Sequence, residues 1–289
     1  MRVLRRIASG VFAGGVLFGL LWTGVRFEVT WIIGFAMAAV AILAAIEYVR
    51  LLSRLGINLS RAAFLPWVPI LVAATIAFSG RYLNVVLIFA VACQLLRHLV
   101  DDPQRDGLLR AGAAALGVLY IPWLLHFIYP LYAYTSPGRP LVGLSAASAV
   151  LLAVWGFDTG AFFVGSLVGR RRAFPSISPN KTWEGILGGM VFAVVGAMVG
   201  VSISPAWREL VFWGGFPPLA ITAVLVGGAA QLGDLFESKL KRAACVKDSG
   251  VFLPGHGGAL DRIDGLLFAL PVFFCYFDVV VRPLLDALP

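Results

Sequence analysis

The hydrophobic residues of this chain fall into long uninterrupted runs separated by short polar segments. Each run has about the 20 residues that a helix needs to cross a hydrocarbon core of roughly 30 Å. A helix of a soluble protein would show a polar face at every turn, which these runs lack. The pattern predicts an all-α polytopic membrane protein with about nine transmembrane helices, at residues 7–25, 29–49, 63–79, 82–100, 110–132, 141–168, 185–204, 209–233 and 263–281.

Composition supports the membrane prediction and excludes several other classes. Hydrophobic residues make up 60% of the chain, charged residues 13%, and the mean hydropathy is +0.90. Such values lie far outside those of soluble domains. The three cysteines, Cys93, Cys245 and Cys275, form no C-x-x-C pair, so neither a disulfide framework nor a zinc site is expected. The basic N-terminus leads into an apolar run without a clear cleavage site, and we interpret it as a retained first span.

The distribution of basic residues predicts the orientation. With nine spans and the N-terminus in the cytoplasm, 18 of the 23 Lys and Arg residues lie on the cytoplasmic side, as the positive-inside rule requires. The net charge of +8 is then explained by orientation and by anionic lipid head groups, so no nucleic-acid partner is expected. A bacterial-type inner or plasma membrane is the predicted location. The five basic residues left outside are Arg26, Arg81, Arg139, Arg208 and Arg282.

Polar chemistry is concentrated in the second half of the chain. Residues 1–140 are predicted to be scaffold helices with possible dimer contacts, and residues 141–289 to be a catalytic membrane region with its site facing the cytoplasm. Glu47 lies near a span end beside Arg50, and we interpret it as part of an interface pair. Asp158, in contrast, lies within the sixth predicted span, where an ionised group is costly and marks a candidate site.

The segment after the sixth span contains features that suit a phosphate. Ser178-Pro179 is a helix-start signal, which places Lys181, Thr182 and Glu184 in the first turn of the next helix. The free N–H groups of such a turn, with a lysine beside them, can bind an anion. The substrate-binding residues predicted in this segment are Ser178, Asn180, Lys181, Thr182 and Glu184.

Residues 231–265 carry the strongest signal. The eighth span is predicted to continue as a helix to about Arg242, which brings Asp234, Glu237, Ser238 and Lys241 onto one face. Asp261 and Asp264 lie three residues apart at the start of the ninth span, and carboxylates of this kind can bind Mg²⁺ together with substrate phosphates. The predicted metal ligands are Asp234, Glu237, Asp261 and Asp264. The predicted catalytic residues are Asp234, Asp261, Lys241, Arg242, Lys247, His256 and Arg262, and the predicted substrate-binding residues of this stretch are Ser238, Asp248, Gly255, Gly257 and Gly258.

Three segments of the chain resemble those of one enzyme family. Ser238-Lys-Leu-Lys-Arg242, Lys247-Asp248, Leu253-Pro-Gly-His-Gly-Gly258 and Leu260-Asp-Arg-Ile-Asp264 resemble the signature of the phosphatidate cytidylyltransferases, or CDP-diacylglycerol synthases. Ser178-Pro-Asn-Lys-Thr-Trp-Glu-Gly185 and Asp158-Thr-Gly-Ala161 are similar to that family's two other recurring segments. Ala259 and Phe162 depart mildly from the family pattern. These two differences affect the packing of the pocket more than the chemistry of the reaction.

The resemblance implies an activity and a set of roles. CTP and phosphatidate would give CDP-diacylglycerol and pyrophosphate, in an all-helical membrane fold that is often a homodimer. Carried over residue by residue, the resemblance makes Asp234 and Asp261 metal ligands. The number of Mg²⁺ ions, one or two, and the presence of a monovalent second ion are left open. Residues expected to bind the phosphates of the two substrates are Lys241, Arg242, Lys247, His256 and Arg262.

Two other functions stay open at this point. A CTP-dependent lipid kinase would use similar groups but transfer the γ-phosphate. A membrane transporter would place charges at mid-membrane in paired halves of the chain, whereas the acidic cluster here lies in one half only. If the cytidylyltransferase interpretation holds, Asp234→Asn and Asp261→Asn should each abolish turnover and leave the fold intact.

Overall fold

The computed structural model describes residues 2–27, 29–77, 82–101, 105–135, 138–210, 216–250 and 257–286. This part of the chain is helical apart from its connections and one short β-hairpin, so the all-α prediction is confirmed with that addition. The helices of the first half are α1 (Arg2–Arg26), α2 (Trp31–Arg54), α3 (Arg61–Phe64), α4 (Trp67–Ala77), α5 (Leu83–Asp101), α6 (Arg105–Val118) and α7 (Ile128–Tyr132). Those of the second half are α8 (Val142–Val168), α9 (Trp183–Val201), α10 (Pro205–Leu210), α11 (Phe216–Ala243), α12 (Leu260–Tyr276) and α13 (Arg282–Asp286).

Six helical segments of the described chain are long and apolar enough to cross a membrane. They correspond to the second and to the fifth through ninth predicted spans, which makes the chain an integral membrane protein. The prediction of nine spans is not confirmed. The third predicted run is divided into α3 and α4 around Pro66, because proline offers no N–H to continue a helix. The six segments are Trp31–Arg54, Asp106–Tyr132, Val142–Val168, Trp183–Val201, Pro217–Ala243 and Leu260–Asp286.

The chain divides into two compact units, each built from two stretches of sequence. The first comprises Met1–Tyr129 with Leu240–Ile263, and the second comprises Pro130–Lys239 with Asp264–Pro289. This is a division by compactness rather than by role, so the predicted functional boundary near residue 140 stays a prediction.

The first unit is organised around the aromatic side chains of α2 and α3. Tyr48 and Phe64 are each only 1% exposed, and the hydroxyl of Tyr48 donates to the carbonyl of Ala113 in α6 at 2.9 Å. Gly117 on α6 faces both rings, and a Cβ there would lie 2.7 Å from each. The absence of a side chain at this glycine therefore permits the close approach of α6 to α2.

The second unit is organised around the antiparallel pair α8 and α9, which make the most extensive helix contact of the described chain. The backbones approach closely because glycines lie at the interface. A Cβ on Gly196 would lie 2.1 Å from the carbonyl oxygen of Leu152, and one on Gly200 would lie 2.3 Å from the Cα of Ala149. The G-x-x-x-G spacing in α9 therefore serves helix packing.

A β-hairpin connects α8 to α9. Strand β1 (Arg172–Phe174) pairs antiparallel with β2 (Ser178–Thr182), and α9 starts only at Trp183. The prediction that a helix begins after Ser178-Pro179, with Lys181 in its first turn, is therefore wrong. Pairing of the two strands keeps residues 178–182 extended, and Thr182 becomes the N-cap of α9.

Helix α11 begins at the Phe216-Pro217-Pro218 sequence and continues to Ala243. Proline is accepted in the first turn of a helix, where its missing N–H would have no intrahelical partner. The prediction that this helix extends past the apolar run to about Arg242 is confirmed. Its polar C-terminal part thus continues the same helix that carries Asp234.

Candidate active site

The second unit contains a cavity of about 290 Å³ lined by residues from α8, β2, α9 and α11. Five of the residues predicted from sequence meet there: Asp158, Asn180, Lys181, Thr182 and Asp234. The rest of the wall is mainly apolar, formed by Phe157, Ala161, Phe162, Gly185, Ile186 and Gln231. A mainly apolar pocket with a few convergent polar groups is typical of a ligand site.

Asp234 and Lys181 form an ion pair at the wall of this cavity. The Nζ of Lys181 donates to Oδ2 of Asp234 at 2.5 Å, and the hydroxyl of Ser238, one turn further along α11, donates to Oδ1 at 3.1 Å. The side chains of Lys181 and Asp234 are 21% and 34% exposed, so both can be reached from solvent. A carboxylate has about four lone-pair sites, and these two donors leave Asp234 with capacity for a further ligand.

The residues at the start of α9 fix the end of the hairpin. The Thr182 hydroxyl accepts the N–H of Gly185 at 3.2 Å, which is an N-cap bond. The Glu184 carboxylate accepts the backbone N–H groups of Arg170 and Arg171 at 3.1 and 3.2 Å. Both side chains therefore hold the chain that carries Lys181, and their predicted contact with substrate stays a prediction.

The first unit contains a second lysine–aspartate pair. The Nζ of Lys241 donates to Oδ1 of Asp261 at 2.5 Å, with the two side chains only 13% and 8% exposed. The other oxygen of Asp261 accepts the backbone N–H of Ser249 at 3.0 Å, the Ser249 hydroxyl at 3.0 Å and the N–H of Gly258 at 2.6 Å. At least four donors thus surround Asp261, whereas two are described for Asp234.

Glu47 completes this second cluster, and its predicted role was wrong. It was expected to lie at a span end as an interface pair with Arg50, but it is buried, with 5% exposure. It accepts the N–H groups of Ala259 and Leu260 at 3.0 and 2.9 Å and the hydroxyl of Ser249 at 2.8 Å. The signal that could have found it is the one applied to Asp158: a carboxylate in an apolar helix needs a reason.

Glycines bring the backbone close to these carboxylates. Gly257 has a φ of +77°, a conformation that L side chains rarely adopt, and a Cβ there would lie 2.6 Å from Oδ2 of Asp261. The N–H of Gly258 donates to the protein's own Asp261, and the predicted binding of a phosphate by this loop stays a prediction. Gly255 and His256 lie outside the described residues.

The described contacts of the remaining predicted residues do not bring these residues into one cluster. Arg242, Lys247, Asp248 and Arg262 are exposed, while Glu237 is fully buried. Asp264 accepts the N–H of Gly265 at 2.7 Å. Within the described ranges, no three His, Cys, Asp or Glu side chains group closely enough to hold a metal ion, so the metal assignment stays a prediction.

The chain is similar to known proteins over nearly its whole length. The model of the cytidylyltransferase family matches residues 4–280. The chain belongs to this family. It is similar to the phosphatidate cytidylyltransferase of Bacillus subtilis, with 33% identity over 277 residues that cover 94% of this chain and 96% of that protein. The proteins of the same name from Thermotoga maritima and Brucella suis are 37% and 29% identical over 185 and 284 residues, which cover 65% and 94% of their lengths and 63% and 96% of this chain.

The residues of both lysine–aspartate pairs lie within the part of the chain that the family model matches. Each pair joins two segments that the sequence had singled out. A nucleotidyl transfer brings two polyanions together, so cations beside carboxylates are the groups it requires. The assignment of these four residues to the reaction stays a prediction.

Substitution of Gly258 by alanine is expected to disrupt the second cluster. A Cβ at this position would lie 2.2 Å from the Ser249 hydroxyl and 2.3 Å from Oε2 of Glu47, so the loop must shift. Overpacking of this kind costs about 1–3 kcal/mol of unfolding free energy, and thermal unfolding in detergent should show a lower Tm. Gly112→Ala in α6 of the same unit is the matched control, because nothing lies within 4 Å of the added methyl group. Equal Tm values for the two variants would contradict the described packing.

Proposed function

We infer that this chain is a phosphatidate cytidylyltransferase, which transfers CMP from CTP to phosphatidate and yields CDP-diacylglycerol and pyrophosphate. The observation that carries this conclusion is the convergence of Asp158, Asn180, Lys181 and Asp234 on one cavity. These residues come from three separate segments of a chain whose relatives bear that name over nearly their whole length.

The reaction requires little acid–base chemistry from the protein. A phosphate oxygen of phosphatidate attacks the α-phosphorus of CTP, the bond from the α-phosphorus to the bridging oxygen breaks, and pyrophosphate leaves with those electrons. The attacking phosphate is already anionic at neutral pH, so no general base is needed. What limits the reaction is repulsion between two polyanions and their alignment, which positioned cations relieve.

We propose that the lysines of the two pairs supply much of this charge neutralisation. Lys181 lies beside a cavity of about 290 Å³, which has room for part of a nucleotide or a lipid head group. Lys241 is held against Asp261. We further propose that Arg242, Lys247 and Arg262, which are exposed on the same stretch of chain, contribute to binding of substrate phosphates.

Asp234 and Asp261 differ in how well their surroundings suit a divalent cation. Asp234 offers two carboxylate oxygens with two protein donors and partial exposure, next to the Ser238 hydroxyl, a set of hard oxygen ligands that suits Mg²⁺. Asp261 already accepts four donors, so it could bind a metal only after one of them, such as Lys241, moves away. A divalent metal bound by these aspartates would neutralise phosphate charge and stabilise the leaving pyrophosphate.

We propose that the site opens to the cytoplasm, where CTP is available. The support is the excess of Lys and Arg in the segments that also contain the motif residues. A site near the end of a span would let phosphatidate stay in the bilayer while its head group meets a water-borne nucleotide. Formation of a homodimer through residues 1–140 is part of the same proposal and is testable by size-exclusion chromatography with light scattering.

The test of the proposed function uses purified protein in detergent with phosphatidate, Mg²⁺ and CTP labelled at either the α- or the γ-phosphate. We expect α-label in the lipid fraction and γ-label released as pyrophosphate. Transfer of the γ-label to lipid would instead show a lipid kinase. If neither label moves at any metal concentration, the proposed function is wrong, and transport assays with the reconstituted protein become the next experiment.

A further inference from the structure

The carboxylate of Glu47 holds two separate parts of the Gly-rich segment. It accepts the Ser249 hydroxyl on one side of residues 251–256 and the backbone N–H groups of Ala259 and Leu260 on the other. Glu47 comes from the C-terminal third of helix α2, more than 200 residues earlier in the sequence. A single buried side chain of α2 therefore bonds to the chain on both sides of residues 251–256.

The backbone around Glu47 is shaped to admit it. A Cβ on Gly250 would lie 2.3 Å from Oε1 of Glu47, and one on Gly258 would lie 2.3 Å from Oε2. Any side chain at either position would displace the carboxylate. Gly250 and Gly258 thus form a cradle whose dimensions match the carboxylate group of Glu47.

Glu47 is linked to Asp261 through one hydroxyl group. The Oγ of Ser249 lies 2.8 Å from Oε2 of Glu47 and 3.0 Å from Oδ2 of Asp261. The same oxygen of Asp261 accepts the N–H of Gly258, the neighbour of Ala259, whose own N–H bonds to Glu47. Movement of the Glu47 carboxylate must therefore change the donors that orient Asp261.

We propose that Glu47 is a positioning residue for the cytidylyl transfer. It fixes Ser249 and the first turn of α12, and through them sets the orientation of Asp261 and of its partner Lys241. This inference rests on the proposed function, because the group that it positions is assigned to that reaction. It also gives helix α2, for which the sequence suggested only a scaffold, a part in building the site.

The position requires a carboxylate and not merely a polar side chain. Both oxygens of Glu47 accept backbone N–H groups, Oε1 from Ala259 and Oε2 from Leu260. Glutamine has the same shape but one acceptor oxygen, so its NH₂ group would face a backbone N–H. The negative charge also lies at the N-terminus of α12, where the helix dipole favours it. Glu47→Gln thus removes one acceptor oxygen and the negative charge with almost no change in side-chain volume.

The experiment compares Glu47→Gln with Tyr48→Phe in the full-length protein. Tyr48 is the neighbouring residue on α2 and is also buried, and its replacement by phenylalanine removes the hydrogen bond to the carbonyl of Ala113. We expect Glu47→Gln to lower kcat at saturating CTP and phosphatidate at least ~10-fold and to raise the Mg²⁺ concentration for half-maximal rate. Tyr48→Phe should lower the Tm but keep kcat within about twofold. A Glu47→Gln enzyme with a wild-type kcat, or losses of kcat that follow Tm in both variants, would overturn the proposal.

A second variant keeps the test decisive if Glu47→Gln does not fold. Ser249→Ala removes only the hydroxyl shared by the two carboxylates, and we expect a lower kcat with CTP binding, measured by calorimetry, retained. In a double-mutant cycle with Glu47→Asp, the two losses should be less than additive, because both act through one contact. Fully additive losses would contradict the linkage. If the wild-type protein itself transfers no label from CTP, the proposed function is wrong. If the wild type and the Glu47→Gln variant are both fully active, the proposed function stands and the positioning role of Glu47 is wrong.

Discussion

Asp234→Asn is expected to lower turnover by at least about 10³-fold with the Tm unchanged, the largest loss we expect from a single isosteric change. The carboxylate lies at the cavity wall, where it holds Lys181 at 2.5 Å and Ser238 at 3.1 Å. Asparagine keeps the shape and can still accept one of these donors, but it carries no charge for Lys181 or for a metal ion. At 34% exposure, water can solvate the altered pair, so the fold should tolerate the change.

The measurement is the rate of CMP transfer to phosphatidate, with thermal unfolding of the same preparation. Asp278→Asn is the matched control in the same unit, since Asp278 is an exposed aspartate paired with Arg282 at 3.0 Å, one helical turn away. Exposed pairs of this kind contribute little to stability, so its turnover should stay within about twofold of wild type. Turnover of Asp234→Asn above about a tenth of the wild-type rate would exclude an essential role for this carboxylate.

Local periodicity in the sequence was sufficient to predict that Asp234 and Ser238 share a face of helix α11. Asp234 and Ser238 are four residues apart, which places them on adjacent turns of one face, and the bond between them confirms that prediction. The extent of the helix was predicted for the same reason, because its polar end continues the helical spacing of the apolar part. Properties that depend on neighbouring residues along one element were therefore accessible without a structure.

Contacts between distant segments were accessible only in part. The family resemblance included the segments around Lys181 and Asp234 and assigned the aspartate to a metal ion, while the helix-start pattern assigned the lysine to a phosphate. Neither predicted that the two side chains form a pair. Glu47 was missed because a glutamate near a span end beside an arginine usually lies at the membrane surface. Its partners are 202 or more residues away, so no local pattern could indicate them.

The start of α9 shows how tertiary structure overrides a local signal. By sequence, Ser178-Pro179 is the predicted helix start and Thr182 lies within the first turn, whereas in the structure Thr182 caps the helix by accepting the N–H of Gly185. Pairing of Arg172 with Thr182 and of Phe174 with Ser178 holds Ser178 in a strand. The helix therefore begins after Thr182. Lys181 consequently lies on an extended segment at the cavity and not on a helix turn.

Asp261→Asn is expected to abolish turnover like Asp234→Asn but also to lower stability, which changes the expectation drawn from sequence. Asp261 is 8% exposed and accepts four donors, from Lys241, Gly258 and both polar groups of Ser249. The NH₂ group of asparagine must face either the Lys241 ammonium or the backbone N–H groups, because donors approach both oxygens. Leaving such donors unsatisfied costs about 1–3 kcal/mol each, so the Tm should fall clearly.

Comparison of the two asparagine variants tests this difference directly. Both should be inactive, while only Asp261→Asn should unfold at a lower temperature and expose the amides of residues 257–260 to faster hydrogen exchange. The two variants differ because asparagine can still accept a donor at position 234, where two donors are described, whereas at position 261 its NH₂ group would face one of four donors. An Asp261→Asn protein with the Tm of wild type would contradict the bonding described for the second cluster. A fully active Asp261→Asn enzyme would remove Asp261 from the reaction altogether.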